Sequence, residues 1–82
     1  MRDEVRARIV EFLPRLRRFA LSLSRDADQA DDLVQETCAR ALANIDQWQE
    51  GTRLDSWMYR IAQNLWFDRL RSKKSHGEFH DI

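Results

Sequence analysis

The sequence predicts an all-α fold, a compact bundle of about three to four helices. Three observations predict it. Apolar residues recur at helical spacing along three long segments. Only 2 Gly and 1 Pro are present, too few for the turns of a β-sandwich or barrel. With 82 residues, 43% hydrophobic and 34% charged, the chain suffices for one small domain and is neither of disordered nor of membrane type.

In the first segment Val5, Ile9, Phe12, Leu16, Phe19 and Leu23 form an apolar stripe, with arginines elsewhere on the wheel. Proline disfavours α geometry at the preceding residue and suits a first helical position. Pro14 therefore predicts two pieces, about Asp3 to Phe12 and Pro14 to Leu23. Asp26 and Gln29 have capping-box spacing and start the next helix, which runs to about Ile45. Its apolar stripe includes Leu33, Thr37, Cys38 and Ala41, so Cys38 reads as a small core residue.

The opposite face of that helix carries Asp28, Asp31, Asp32, Gln35, Glu36 and Arg40. Helix-dipole compensation accounts for Asp28 and Asp31 in the first turns, and less well for Asp32, Gln35 and Glu36. Asp46–Gly51 is a polar loop holding Trp48, a residue that either tucks into the core or faces a partner. Thr52 and Asp55 have capping-box spacing, and a long helix follows to about Ser72.

That last helix places Leu54, Met58, Ile61, Ala62 and Leu65 on a core face. On the other side Arg60, Asn64, Phe67 and Arg71 form a stripe, with Gln63 between them and Trp57 at its flank. Phosphates need cations, and unpaired bases need a flat surface and amides. The stripe offers all three. Arg69, Arg71, Lys73 and Lys74 continue the positive charge, two of them explicable as dipole compensation.

The 14 Lys+Arg and 14 Asp+Glu cancel but are segregated. Residues 25–52 hold seven acids against Arg25 and Arg40, whereas residues 53–76 hold six bases against Asp55 and Asp68. Two surfaces with different partners are expected from this.

No enzyme and no cofactor are predicted. The chain has no Gly-rich phosphate loop, no Ser/His/Asp arrangement and no CxxC pair. His76 and His80 are i, i+4, but the interrupting Gly77 places them in an exposed tail, and no metal is predicted. Asp68 reads as an ion-pair partner of the arginines beside it. One Cys, no run of about 18 apolar residues and no signal-peptide pattern predict a cytoplasmic protein without a membrane role.

Two stretches resemble one family. Asp31-Asp32-Leu33-Val34-Gln35-Glu36-Thr37 with Ala39-Arg40-Ala41 is similar to the D-L-V-Q-E-T…R-A signature in region 2 of bacterial sigma factors of the extracytoplasmic-function type. Trp57-Met58-Tyr59-Arg60-Ile61-Ala62-Gln63-Asn64, followed by Asp68 and Arg71, resembles that family's W-L/M-x-R-I-A-x-N and D-x-x-R signatures. Leu13–Ala20 resembles the opening of members that run the alphaproteobacterial general stress response. The match covers roughly residues 10–74.

The resemblance implies a region 2 domain over residues 1–75. Residues 76–82 are then a tail or the start of a linker toward region 4, the second helical domain of complete factors. It implies core RNA polymerase as partner, docked through the clamp helices of the β′ subunit on Asp31, Asp32, Gln35, Glu36 and Arg40. It implies a second partner in promoter DNA, mainly the non-template single strand of the −10 element, one of whose bases is flipped and captured. Base capture falls on Asn64, Trp57, Tyr59 and Arg60, and Gln63, Phe67, Asp68 and Arg71 join them as DNA-binding residues. The Asp46–Arg53 loop, with Trp48 and Arg53, would close the pocket, and Lys73 and Lys74 would hold the backbone. An anti-sigma factor is a further expected partner.

Two other functions compete. A sigma-like mimic would bind an anti-sigma factor and no DNA, and would have no use for Asn64, Trp57 and Arg60. A helix-turn-helix protein would read duplex DNA from a helix N-terminus, whereas here the DNA-type residues run the length of the helix.

Overall fold

The computed structural model describes residues 3–49 and 51–81, with side chains through Ser72. Three α-helices follow one another: α1 (Asp3–Ser24), α2 (Ala27–Ala43) and α3 (Leu54–Asp81). A 3-10 turn at Ile45–Gln47 opens the connection from α2 to α3.

α1 is a single helix with Pro14 inside it, not the two pieces expected. A mid-helix proline removes one hydrogen bond and costs about 3 kcal/mol or more. The bond lost is that to the Val10 carbonyl. Val10 is 62% exposed and Pro14 is also exposed, so water can reach that carbonyl. Phe12 and Leu16, on either side of the proline, are both buried in the core. Each contributes about 1.5–3 kcal/mol of apolar burial, which offsets the break.

The α1–α2 joint is two residues long. Arg25 adopts a left-handed φ of 57°, and its N–H donates to the Leu21 carbonyl at 2.8 Å, closing the end of α1. Asp26 then caps α2 as its spacing predicts, accepting from the N–H groups of Asp28 (2.8 Å) and Gln29 (3.3 Å). The opposite end of α2 closes on Asn44, whose N–H donates to the carbonyls of Arg40 and Ala41.

The start of α3 departs from its expected cap. Thr52 donates its hydroxyl to the Gln49 carbonyl at 2.5 Å and so closes the loop, while Arg53 occupies the cap position with its carbonyl accepting the Trp57 N–H. Gly51, at φ 91°, makes the turn that turns Thr52 back toward Gln49. α3 continues past the expected end near Ser72 to Asp81, because a lone Gly77 weakens a helix by about 1 kcal/mol without ending it.

Two buried clusters hold the helices together. The larger gathers Val5, Ile9, Phe12 and Leu16 of α1, Ala41 of α2, Ile45 and Trp48 of the connection, and Leu54, Met58 and Ala62 of α3. The smaller joins Ala20, Ala30, Leu33 and Leu65. Because α1 and α2 pack on the same side of α3, the opposite side of α3 and the outer face of α2 remain open.

Candidate nucleic-acid interface and partner face

The α2 face starts from residues spaced so that none points into the core. Asp31, Asp32, Gln35 and Glu36 are all exposed. Two of the acids are tied to neighbouring helices. Arg17 of α1 donates to Asp31 at 2.9 Å, and Arg69 of α3 donates to Glu36 at 2.6 Å. Asp32 and Gln35 make no side-chain hydrogen bond among the described residues, so they head the face as free acceptor and amide.

On α3 the stripe is displayed as its spacing requires. Arg60, Gln63, Asn64, Phe67 and Arg71 are exposed, with Phe67 at 49%. Arg71 is ion-paired with Asp68, the role read for that aspartate from sequence. Trp57, half-buried, packs one side against the larger core cluster.

Asn64 and Trp57 meet in a groove of about 310 Å³, whose polar wall also includes Asp68 of α3 and Arg40, Asn44 and Gln47 from the end of α2 and the 3-10 turn. The floor is Ile61 and Leu65. Asn44 is held in place because its side-chain amide donates to the Arg40 carbonyl at 2.9 Å. An apolar floor, an indole, three amides and a guanidinium supply what a nucleobase needs: a stacking surface and donors and acceptors for its edge.

Arg40 lines this groove and also the cavity it shares with Glu36 and Arg69, so it stands between the two faces; Gln47 comes from the loop expected at the pocket, and Asn44 is the residue sequence reasoning missed. A signal was there to find. Residues 40, 44 and 47 repeat the i, i+4, i+7 spacing of Arg60, Asn64 and Phe67.

Three residues expected at the DNA pocket are placed elsewhere. Trp48 is only 6% exposed, buried in the larger cluster with the Arg8 guanidinium 5.5 Å over its ring. Burying an indole beside Val5, Ile9 and Ile45 removes far more apolar surface from water than a polar loop could cover. Tyr59 is half-buried, edge-on to Phe12 at 4.9 Å and to Phe19 at 4.7 Å. Five residues along a helix is a rotation of about 140°, so Tyr59 faces α1 when Asn64 faces outward.

Arg53 lies with α1 on the far side of the loop and clamps both oxygens of Asp55, at 3.2 and 2.8 Å. That clamp holds the Asp55 carboxyl below its ordinary range and raises Arg53. Among the described loop residues, Gln47 alone lines the Asn64 groove. Burial pushes the Cys38 thiol up, as for a half-buried core-side residue. The side chains of Lys73, Lys74, His76 and His80 lie outside the described residues.

Sigma-70 region 2 matches residues 9–76. The chain is 48% identical over 79 residues to the ECF RNA polymerase sigma factor EcfG of Rhodopseudomonas palustris, covering 96% of this chain and 44% of that protein. It is 46% identical over 46 residues to the ECF RNA polymerase sigma factor SigW of Bacillus subtilis, covering 56% of this chain and 25% of SigW. Among solved structures, the sigma factor RpoE of Bartonella quintana, in complex with the anti-sigma factor NepR, superposes with a TM-score of 0.89 at 32% identity. That match covers 98% of this chain and 50% of the other, so the chain spans about half the length of the factors it resembles or less. The match over most of the chain, the helical fold and the two signatures on its open faces agree: the chain belongs to the sigma-70 region 2 family, among the extracytoplasmic-function sigma factors.

Proposed function

We propose that this domain docks core RNA polymerase through the outer face of α2, on the β′ clamp helices, and captures one flipped base of the −10 non-template strand in the α2–α3 groove. The observation that carries the reading is the convergence of Asn64, Trp57, Arg40, Asn44 and Gln47 on one groove. It opens beside the exposed Arg60, Gln63 and Phe67 and apart from Asp32 and Gln35.

The energetics are consistent. Extruding a base costs a few kcal/mol. Stacking returns about 1–3 kcal/mol and a well-placed bidentate amide about 1–3 kcal/mol more. A Trp57 ring already fixed by core packing spends little entropy on becoming a stacking surface. Arg60 and Arg71, outside the groove, contribute sequence-independent attraction to phosphates. On α2, the free Asp32 and Gln35 suit a basic partner helix, where exposed charges set association rate and specificity.

An anti-sigma factor is the second partner proposed, supported by the RpoE structure being that of a complex with one. The sigma-like mimic and the duplex reader are the lesser readings, since neither uses a base-sized groove.

The test compares single-stranded 12-mers of each base, by fluorescence anisotropy, against the chain and Asn64→Ala. The expected result is a base preference in the unaltered chain that shrinks about tenfold or more in the variant, with the least-preferred strand bound equally by both. A variant that weakens all four strands equally contradicts base reading.

A further inference from the structure

On the far side of the loop from the Asn64 groove lies a second groove of about 300 Å³ between α1 and the start of α3. Arg8 and Arg15 line it from α1 and Arg53 from the loop, against the carboxylates of Glu11 and Asp55. Asp55 is already taken, both of its oxygens being held by Arg53. Neither Arg8 nor Arg15 is in a salt bridge among the described residues, although Arg15 is near enough to Asp55 to help hold its carboxyl down. Each is instead laid over an aromatic ring, Arg8 on Trp48 at 5.5 Å and Arg15 on Phe12 at 5.3 Å.

A guanidinium stacked on a ring is held in one orientation while its in-plane N–H donors stay free, the arrangement suited to a phosphate. Gly51 forms part of the wall, with nothing within 4 Å of the place a Cβ would take, so the groove is open there.

We infer that this groove binds the sugar-phosphate backbone of a single nucleic-acid strand, with Arg8 and Arg15 as its phosphate ligands. The inference rests on the base-capture reading for the identity of that strand. The two grooves flank one connection: Gln47 lines the first and Gly51 to Arg53 line the second, and the strand is proposed to cross that connection. Arg8 and Arg15 are seven residues apart, about 10.5 Å along the helix. That equals the rise of about three stacked nucleotides. The arginines read no base edge here and so add affinity without sequence preference.

The test uses a labelled oligo(dT) 12-mer and three forms of the chain: unaltered, Arg8→Gln/Arg15→Gln, and Arg8→Lys/Arg15→Lys. The Gln pair should bind about tenfold more weakly, and its log–log salt slope should fall by about 1.4, the contribution of two single-strand phosphates. The Lys pair should keep most of the affinity and slope. Helical circular dichroism is followed on all three, and the salt slope is a readout that loss of packing on Trp48 or Phe12 does not move. An unchanged affinity and slope in the Gln pair overturns the inference, as does a folded Lys pair that fails as badly as the Gln pair.

Inorganic phosphate, titrated at constant ionic strength and followed by tryptophan fluorescence, separates a strand from a free anion. No saturable response below about 1 mM is expected. A saturable response lost in the Gln pair would overturn the assignment to a strand. The base preference among the four 12-mers is measured in the same experiment. Its absence from the unaltered chain sinks the base-capture reading, whereas its survival in a Gln pair of unchanged affinity sinks only this one.

Discussion

Tyr59 and Asn64 stand five residues apart on α3 and have opposite surroundings. Tyr59 is wedged between Phe12 and Phe19, half-buried, its ring used up in holding α1 to α3. Asn64 is exposed at the lip of a polar groove and supports nothing in the core. Both belong to one family signature, and a signature does not separate residues that build the domain from residues that meet its partners. The helix rotation does: about 140° between them turns one inward and the other out.

Substituting each residue separates the two roles. The largest effect is expected from Tyr59→Ala, which should cost about 2–4 kcal/mol in urea unfolding, the range for losing much of an aromatic contact with two neighbouring rings. Whatever remains folded should keep its base preference. Asn64→Ala should leave stability within about 0.5 kcal/mol while reducing that preference. If the two variants exchange these behaviours, the division of α3 into a building side and a reading side is wrong.

A smaller effect is expected on α2. The Thr37 side chain is fully buried, and its hydroxyl finds no hydrogen-bond partner among the described residues. Removing an orphaned hydroxyl while keeping the branched shape should stabilise the domain, so Thr37→Val should gain about 1 kcal/mol and raise the Tm. A loss of stability would mean that the hydroxyl is satisfied. The outer face of α2, one side-chain layer away, should be indifferent to this change and bind polymerase as before.

Much of the fold was legible because the signals were local and periodic. The Asp26 cap, the buried stripe of α1, the open stripe of α3 and the acidic row of α2 follow from spacing alone. What was not legible depended on competition between distant parts. Pro14 ends a helix by its own chemistry, and only the joint burial of Phe12 and Leu16 holds α1 through it. Trp48 in a polar loop was expected at the DNA pocket, and its burial with Val5, Ile9 and Ile45 depends on a gap that no single segment encodes.

The site shows the same division. Asn64 and Trp57 were found from one helix, but Arg40, Asn44 and Gln47 join them across the α2–α3 contact, which no single segment encodes. Thr52 had the right spacing for a cap and was diverted by the Gly51 turn to the Gln49 carbonyl. Arg53 was drawn to the opposite groove by Asp55 two residues on.

The central claim is that the two open faces serve two partners, polymerase on α2 and DNA on α3. It is tested most directly by binding of this chain to core RNA polymerase, or to an isolated β′ clamp-helix fragment, alongside Asp32→Arg and Asn64→Ala. The account predicts that Asp32→Arg abolishes binding with an unchanged helical spectrum, and that Asn64→Ala binds as the unaltered chain does. Binding that survives Asp32→Arg, or that Asn64→Ala weakens as much, would contradict it.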